Sequence, residues 1–100
     1  MPMMEINVVP VGTGDISVSH HVARALKVIK ETKGIEYELT AMGTIVTAPT
    51  TEALLRLAGK IHQAVLEKDI QRLVTTIKID ERRDGEFSIQ DKVRSAKNAQ

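Results

Sequence analysis

Residues 3–9 partly alternate, with Met4, Ile6 and Val8 on one side and Glu5 and Asn7 on the other, the period of a β-strand. Pro10-Val11-Gly12-Thr13-Gly14-Asp15 interrupts that pattern, because a proline and two glycines do not continue a ladder. Ser17 or Ser19 can then cap a helix in which Val18, Val22, Ala25, Leu26 and Ile29 share one face, opposite Arg24, Lys27 and Lys30. Gly34 stands where that helix should end. Alternation resumes over 35–42, Ile35, Tyr37 and Leu39 facing away from Glu36, Glu38 and Thr40. Gly43 marks a turn, and the β-branched run 44–48 completes a hairpin. Pro49 with Thr50 or Thr51 opens a second helix whose stripe is Leu54, Leu57, Ala58, Ile61, Ala64 and Val65, with Asp69 closing it. Leu55, His62 and Leu66 widen the stripe on one side. Residues 73–80 form the last long strand, Leu73, Thr75, Ile77 and Ile79 opposing Val74, Thr76 and Lys78. Beyond a charged turn, Ser88 and Asp91 form a capping pair that predicts a short tail helix carrying Ile89, Val93 and Ala96.

The order β-α-β-β-α-β over residues 1–100 reads as one domain of the α+β class. Right-handed crossovers turn that order into a ferredoxin-like sandwich, a four-stranded antiparallel sheet with two helices on one face. Val9, Val46 and Val74 are expected on the other face, among Asn7, Thr76 and Lys78. A half-apolar open face predicts association through the sheet.

Composition narrows the partners. Tyr37 and Phe87 are the only aromatic residues, so the core is aliphatic and a ring beside a ligand would be hard to replace. With 14 basic and 13 acidic residues well mixed, the chain lacks the clustered positive charge that nucleic acid or an anionic membrane would require. RNA-binding modules of this fold stack bases on sheet aromatics that this sheet does not have. No cysteine is present, which excludes disulfides and thiolate metal sites and fits a reducing compartment. The N-terminus lacks the basic flank and apolar run of an export signal, and no stretch approaches a membrane span, so a cytoplasmic location is expected.

The loop from Pro10 to Ser19 holds the most unusual chemistry. Thr13, Ser17 and Ser19 offer hydroxyls beside glycines and the free N–H groups of a helix start. It serves either as a polar ligand-binding lip or as a capped strand-to-helix connection. A third glycine is missing for the dinucleotide fingerprint. Tyr37, on an apolar strand face, is either a core residue or a ring that stacks on a ligand. His20 and His21 are adjacent and His62 lies on another helix, which does not make a metal site, so these read as packing or solvent-facing residues. No nucleophile–base pair is evident, and no catalytic residue or cofactor is assigned. Asp80-Glu81-Arg82-Arg83-Asp84 should form salt bridges at a strand end.

In order along the chain, Glu5-Ile6-Asn7-Val8-Val9-Pro10, Gly12-Thr13-Gly14, Ser17-Val18-Ser19, Tyr37-Glu38-Leu39-Thr40, Met42-Gly43-Thr44 and 77–84 resemble the thiamine-binding protein family. The resemblance covers essentially the whole chain, with Ala41 standing where a proline is common and Thr47-Ala48-Pro49 replacing an acidic, glycine-containing stretch. It implies a ferredoxin-like subunit in a homo-oligomer, a tetramer built as a dimer of dimers. It also implies binding of thiamine or a hydroxymethylpyrimidine-like molecule without turnover. Within that frame Thr13, Ser17, Ser19 and Thr44 would read the polar edge of the ligand, Tyr37 and Met42 would flank a ring, and Glu38 or Glu5 would favour a cation. The alternative is a structural or regulatory homo-oligomer whose sheet binds a protein partner, and an enzyme acting on a thiamine precursor is a third possibility.

Overall fold

The computed structural model describes residues 1–12, 18–67, 70–85 and 88–99, without the side chains of Val18 and Ser19. Four strands, β1 (Met3–Pro10), β2 (Glu36–Thr40), β3 (Gly43–Thr47) and β4 (Leu73–Asp80), alternate with three helices, α1 (Val18–Glu31), α2 (Thr51–Val65) and α3 (Ile89–Asn98). Every pairing is antiparallel and the strand order is β2-β3-β1-β4. That is the ferredoxin-like arrangement expected from the element order.

Local chemistry explains the helix ends. Thr50 is extended and its hydroxyl accepts from the Ala53 amide at 3.1 Å, which makes Thr50 rather than Thr51 the cap of α2. Its buried stripe, Leu54, Leu57, Ala58, Ile61 and Val65, follows helical spacing. At the end of α1 the Thr32 hydroxyl donates to the Val28 carbonyl at 2.8 Å, and Gly34 follows with φ +80°. The tail helix α3 forms with the expected capping box between Ser88 and Asp91.

Register sorts the faces. Met4 stands between Val46 and Ile79, and Ile6 between Thr44 and Ile77. These positions look toward α1 and α2, where Met4, Val46, Leu54 and Ile61 have no exposed surface. Each such side chain contributes about 1.5–3 kcal/mol by leaving water. Val46, expected on the opposite face, is therefore a core residue. Both faces of 44–48 carry β-branched side chains, so only pairing with Met4 and Tyr37 decides which one is buried. The opposite face carries Glu5, Asn7, Val9, Val74, Thr76 and Lys78, and there Val9 and Val74 are exposed as expected. It is not wholly open: Lys92 of α3 pairs with Asp80, so the tail helix crosses one end of it.

Candidate functional site

The strands of the β2–β3 hairpin are joined by Ala41 and Met42, with Thr40 paired to Gly43. Two-residue hairpin loops favour residues of positive φ, yet none outside glycine occurs among the described residues. Thr40 compensates. Its hydroxyl donates to the Gly43 carbonyl at 2.8 Å and accepts from the Met42 amide at 3.2 Å. The turn stands beside α1, and between them lies a cleft of about 210 Å³.

Ile6 and Val8 of β1 and Val22, Ala25 and Ile29 of α1 line this cleft, with Leu39 to Thr44 along the hairpin. Leu39 and Met42 are 51% and 79% exposed, an unusual display of apolar surface for a turn beside a cavity. Thr44 is buried, and none of the described residues hydrogen-bonds its hydroxyl. No charged side chain belongs to the described lining. Pockets for drug-sized ligands measure roughly 300–1,000 Å³, so this smaller cleft suits one ring rather than two. Its chemistry suits a flat, neutral heterocycle: thioether and aliphatic carbons for the faces, hydroxyls and main chain for the edge.

The sequence-derived residues fall into three groups. Met42 and Thr44 meet at this cleft. Tyr37 does not line it; the ring is half-exposed and borders a separate groove with Glu38, Val93 and Arg94. Thr13, Ser17 and the Ser19 side chain lie outside the described residues. Glu5 points to the opposite face of the sheet, as its pairing with Lys78 shows, and Glu38 pairs with Ile45 on that same face. Sequence reasoning missed Leu39, Thr40 and the α1 wall; the spacing of Val22, Ala25 and Ile29 was legible only as a core stripe.

Of the histidines, expected to be packing or solvent-facing, His20 is exposed, His21 is buried and His62 is half-buried. His62 Nδ1 lies 2.7 Å from the Thr75 hydroxyl, linking α2 to β4. His20 and His21 rings meet edge to face with centroids 5.9 Å apart, and His21 is 7% exposed. Among the described residues no group of three His, Asp or Glu side chains could hold a metal ion, and no helix is long and apolar enough to cross a membrane. At the end of β4 the charged run forms the expected ion pairs, Arg82 with Asp84 at 2.9 Å and Asp80 with Lys92.

Fold and cleft together define a small ferredoxin-like domain with a mostly apolar cleft, large enough for one ring, on its helical side. The chain belongs to the thiamine-binding protein family, whose profile matches residues 4–97. A UPF0045 protein of Methanothermobacter thermautotrophicus is 39% identical over 93 residues, 93% of each chain. One from Bacillus subtilis is 33% identical, covering 95% of this chain and 93% of that protein. Among solved structures, a hypothetical protein of Methanocaldococcus jannaschii superposes with TM-score 0.85 at 33% identity, over 96% of this chain and 95% of its own. A Thermotoga maritima protein, provisionally named for thiamine biosynthesis or salvage, shares the fold at TM-score 0.76 and 23% identity, over 95% and 97%.

Proposed function

We propose that the protein binds thiamine or its hydroxymethylpyrimidine moiety without turnover, seating the pyrimidine ring in the cleft between α1 and the β2–β3 turn. The observation that carries this is Met42, held at the cleft mouth by the Thr40 hydroxyl, 79% exposed, above a buried Thr44. Exposed apolar groups around a cavity gain free energy when a ring covers them. The aminopyrimidine fits better than the cationic thiazolium, because the described lining supplies no carboxylate. Membership of the thiamine-binding family and the name of the Thermotoga relative support the same ligand class. Hydroxyls and main chain recognise such a ring and do not activate it, so a carrier or sensor is favoured over an enzyme.

Titration calorimetry tests this. Thiamine and 4-amino-5-hydroxymethyl-2-methylpyrimidine should both give saturable heat, and the thiazole moiety alone should give none. No heat from either at millimolar concentration contradicts the reading.

A second reading concerns the opposite face. Val9 and Val74 are paired neighbours and 49% and 43% exposed, flanked by Asn7, Thr76 and Lys78. A second copy of the chain would cover them, giving the homo-oligomer, a tetramer of paired dimers in the full form, to which a protein partner could also attach. Light scattering on Val74→Glu should show a smaller particle than the parent protein, and an unchanged mass contradicts the assignment of this face.

A further inference from the structure

We infer that the Thr44 hydroxyl sets the orientation of the bound ring: it donates to a ring nitrogen at the floor of the cleft, so the substituent on the far edge points outward past Met42. The inference rests on the ligand reading above and narrows it to a class, 2-methylpyrimidines accepted whatever group they carry at C5. Register places Thr44 between Ile6 of β1 and Leu39 of β2. All three line the cleft, so Thr44 lies on its sheet-side floor, with Val22 and Ala25 of α1 across from it. Thr44 is 7% exposed, and none of the described residues hydrogen-bonds its hydroxyl. A buried hydroxyl without a partner costs free energy, and most such groups in native chains are completed by protein, water or ligand. The other polar side chains of the described lining are committed elsewhere. Thr40 bonds the Gly43 carbonyl and the Met42 amide, and Asn7 belongs to the opposite face of the sheet, paired with Thr76. Thr44 therefore presents the one uncommitted side-chain hydroxyl among the described residues of the cleft.

The shape of the ligand completes the argument. In a 2-methylpyrimidine the two ring nitrogens flank the carbon that bears the methyl group, and C5 lies directly across the ring. A hydroxyl rotates to suit its acceptor. A bond from Thr44 to either nitrogen brings the adjoining methyl toward the buried Ile6 and Ile61 and leaves C5 in the outer half of the ring. At about 210 Å³ the cleft holds the ring alone, so the C5 group lies outside it, beside the exposed Met42. No charged side chain of the described lining selects among such groups. A benzene ring of the same outline offers no acceptor and would leave the hydroxyl unpaired, which is the basis for rejecting it.

Two substitutions separate this from a packing role. Thr44→Val keeps the shape and removes the hydroxyl; Thr44→Ser keeps the hydroxyl and removes the methyl. Each is titrated by calorimetry with hydroxymethylpyrimidine and with thiamine, and melted without ligand. The parent should bind the two ligands within about tenfold of each other. Thr44→Val should weaken both by the same factor, about tenfold for one net hydrogen bond, while melting at least as high as the parent. Thr44→Ser should keep its affinity within about threefold. Equal affinity of parent and Thr44→Val overturns the inference alone and leaves the cleft reading standing. Equal losses in both variants, with lowered melting temperatures, assign Thr44 to packing and overturn it likewise. A loss for one ligand only, or a wider gap between the two in the parent, overturns the shared orientation. Absence of heat with the parent protein overturns both readings together.

Discussion

A β-carbon on Gly43 would stand 3.1 Å from the carbonyl oxygen of Ile6, and Gly43 itself sits at φ +155°. The hairpin turn is thus pressed against β1, and this close approach fixes the mouth of the cleft above Ile6. Gly43→Ala should destabilise the fold by about 1–3 kcal/mol, from backbone strain plus the contact with main chain that cannot swing aside. Urea denaturation would register this as a lower midpoint with unchanged slope, and an unaltered midpoint would contradict the packing described.

Thr40 holds the same turn through its side chain. Thr40→Val removes the hydroxyl that bridges the Gly43 carbonyl and the Met42 amide. A cost of about 0.5–1.5 kcal/mol per net hydrogen bond is expected, together with faster amide exchange at Met42. Exchange at Met42 no faster than in the parent would show that the turn does not depend on Thr40.

Met42 should matter to ligand and not to stability. Its side chain is largely in water, so Met42→Ser should shift stability by no more than about 0.5 kcal/mol while weakening pyrimidine binding severalfold. Tyr37, on a separate groove, provides the control: Tyr37→Ala should leave affinity within about threefold, a change under about 1 kcal/mol. The opposite ranking of the two variants would relocate the site to the groove beside α3.

Acid should release the tail helix before the sheet. Hydrogen bonding from the Ser88 amide and hydroxyl holds the Asp91 carboxyl below its ordinary value, and Lys92 does the same for Asp80. Both pKa values are depressed in the folded state, so the stability they contribute is fully present above the ordinary aspartate pKa, about 4. It is lost as pH falls through the folded values. Amide protection in α3 should therefore fall below about pH 4 while β1 and β4 remain protected. Asp91→Asn should weaken α3 already at neutral pH, and α3 as well protected as the sheet in acid would contradict the assignment.

Much of the fold was legible because hydrophobic period and stop signals agreed. The faces of β1 and β4 followed alternation, and the α2 stripe followed helical spacing with its threonine cap. Val46 was misplaced because Thr44, Ile45, Val46 and Thr47 are all β-branched, so the strand carries little alternation of its own. Its orientation is a consequence of register with Met4, a long-range fact. The site was legible only in part. Met42 and Thr44 stood out beside a glycine turn, whereas the α1 wall became a wall only when the helix packed beside that turn.

The central claim, that a pyrimidine sits against Met42, is tested most directly by methyl NMR of protein labelled with [13C-methyl]methionine. The chain has 4 methionines, and of these only Met42 lines the cleft. Adding hydroxymethylpyrimidine should move the Met42 methyl resonance, upfield if it lies over the ring face, and leave those of Met1 and Met3 in place. A resonance from Met42 that stays fixed at saturating ligand, or shifts confined to Met1 and Met3 at the far end of the sheet, would contradict the account.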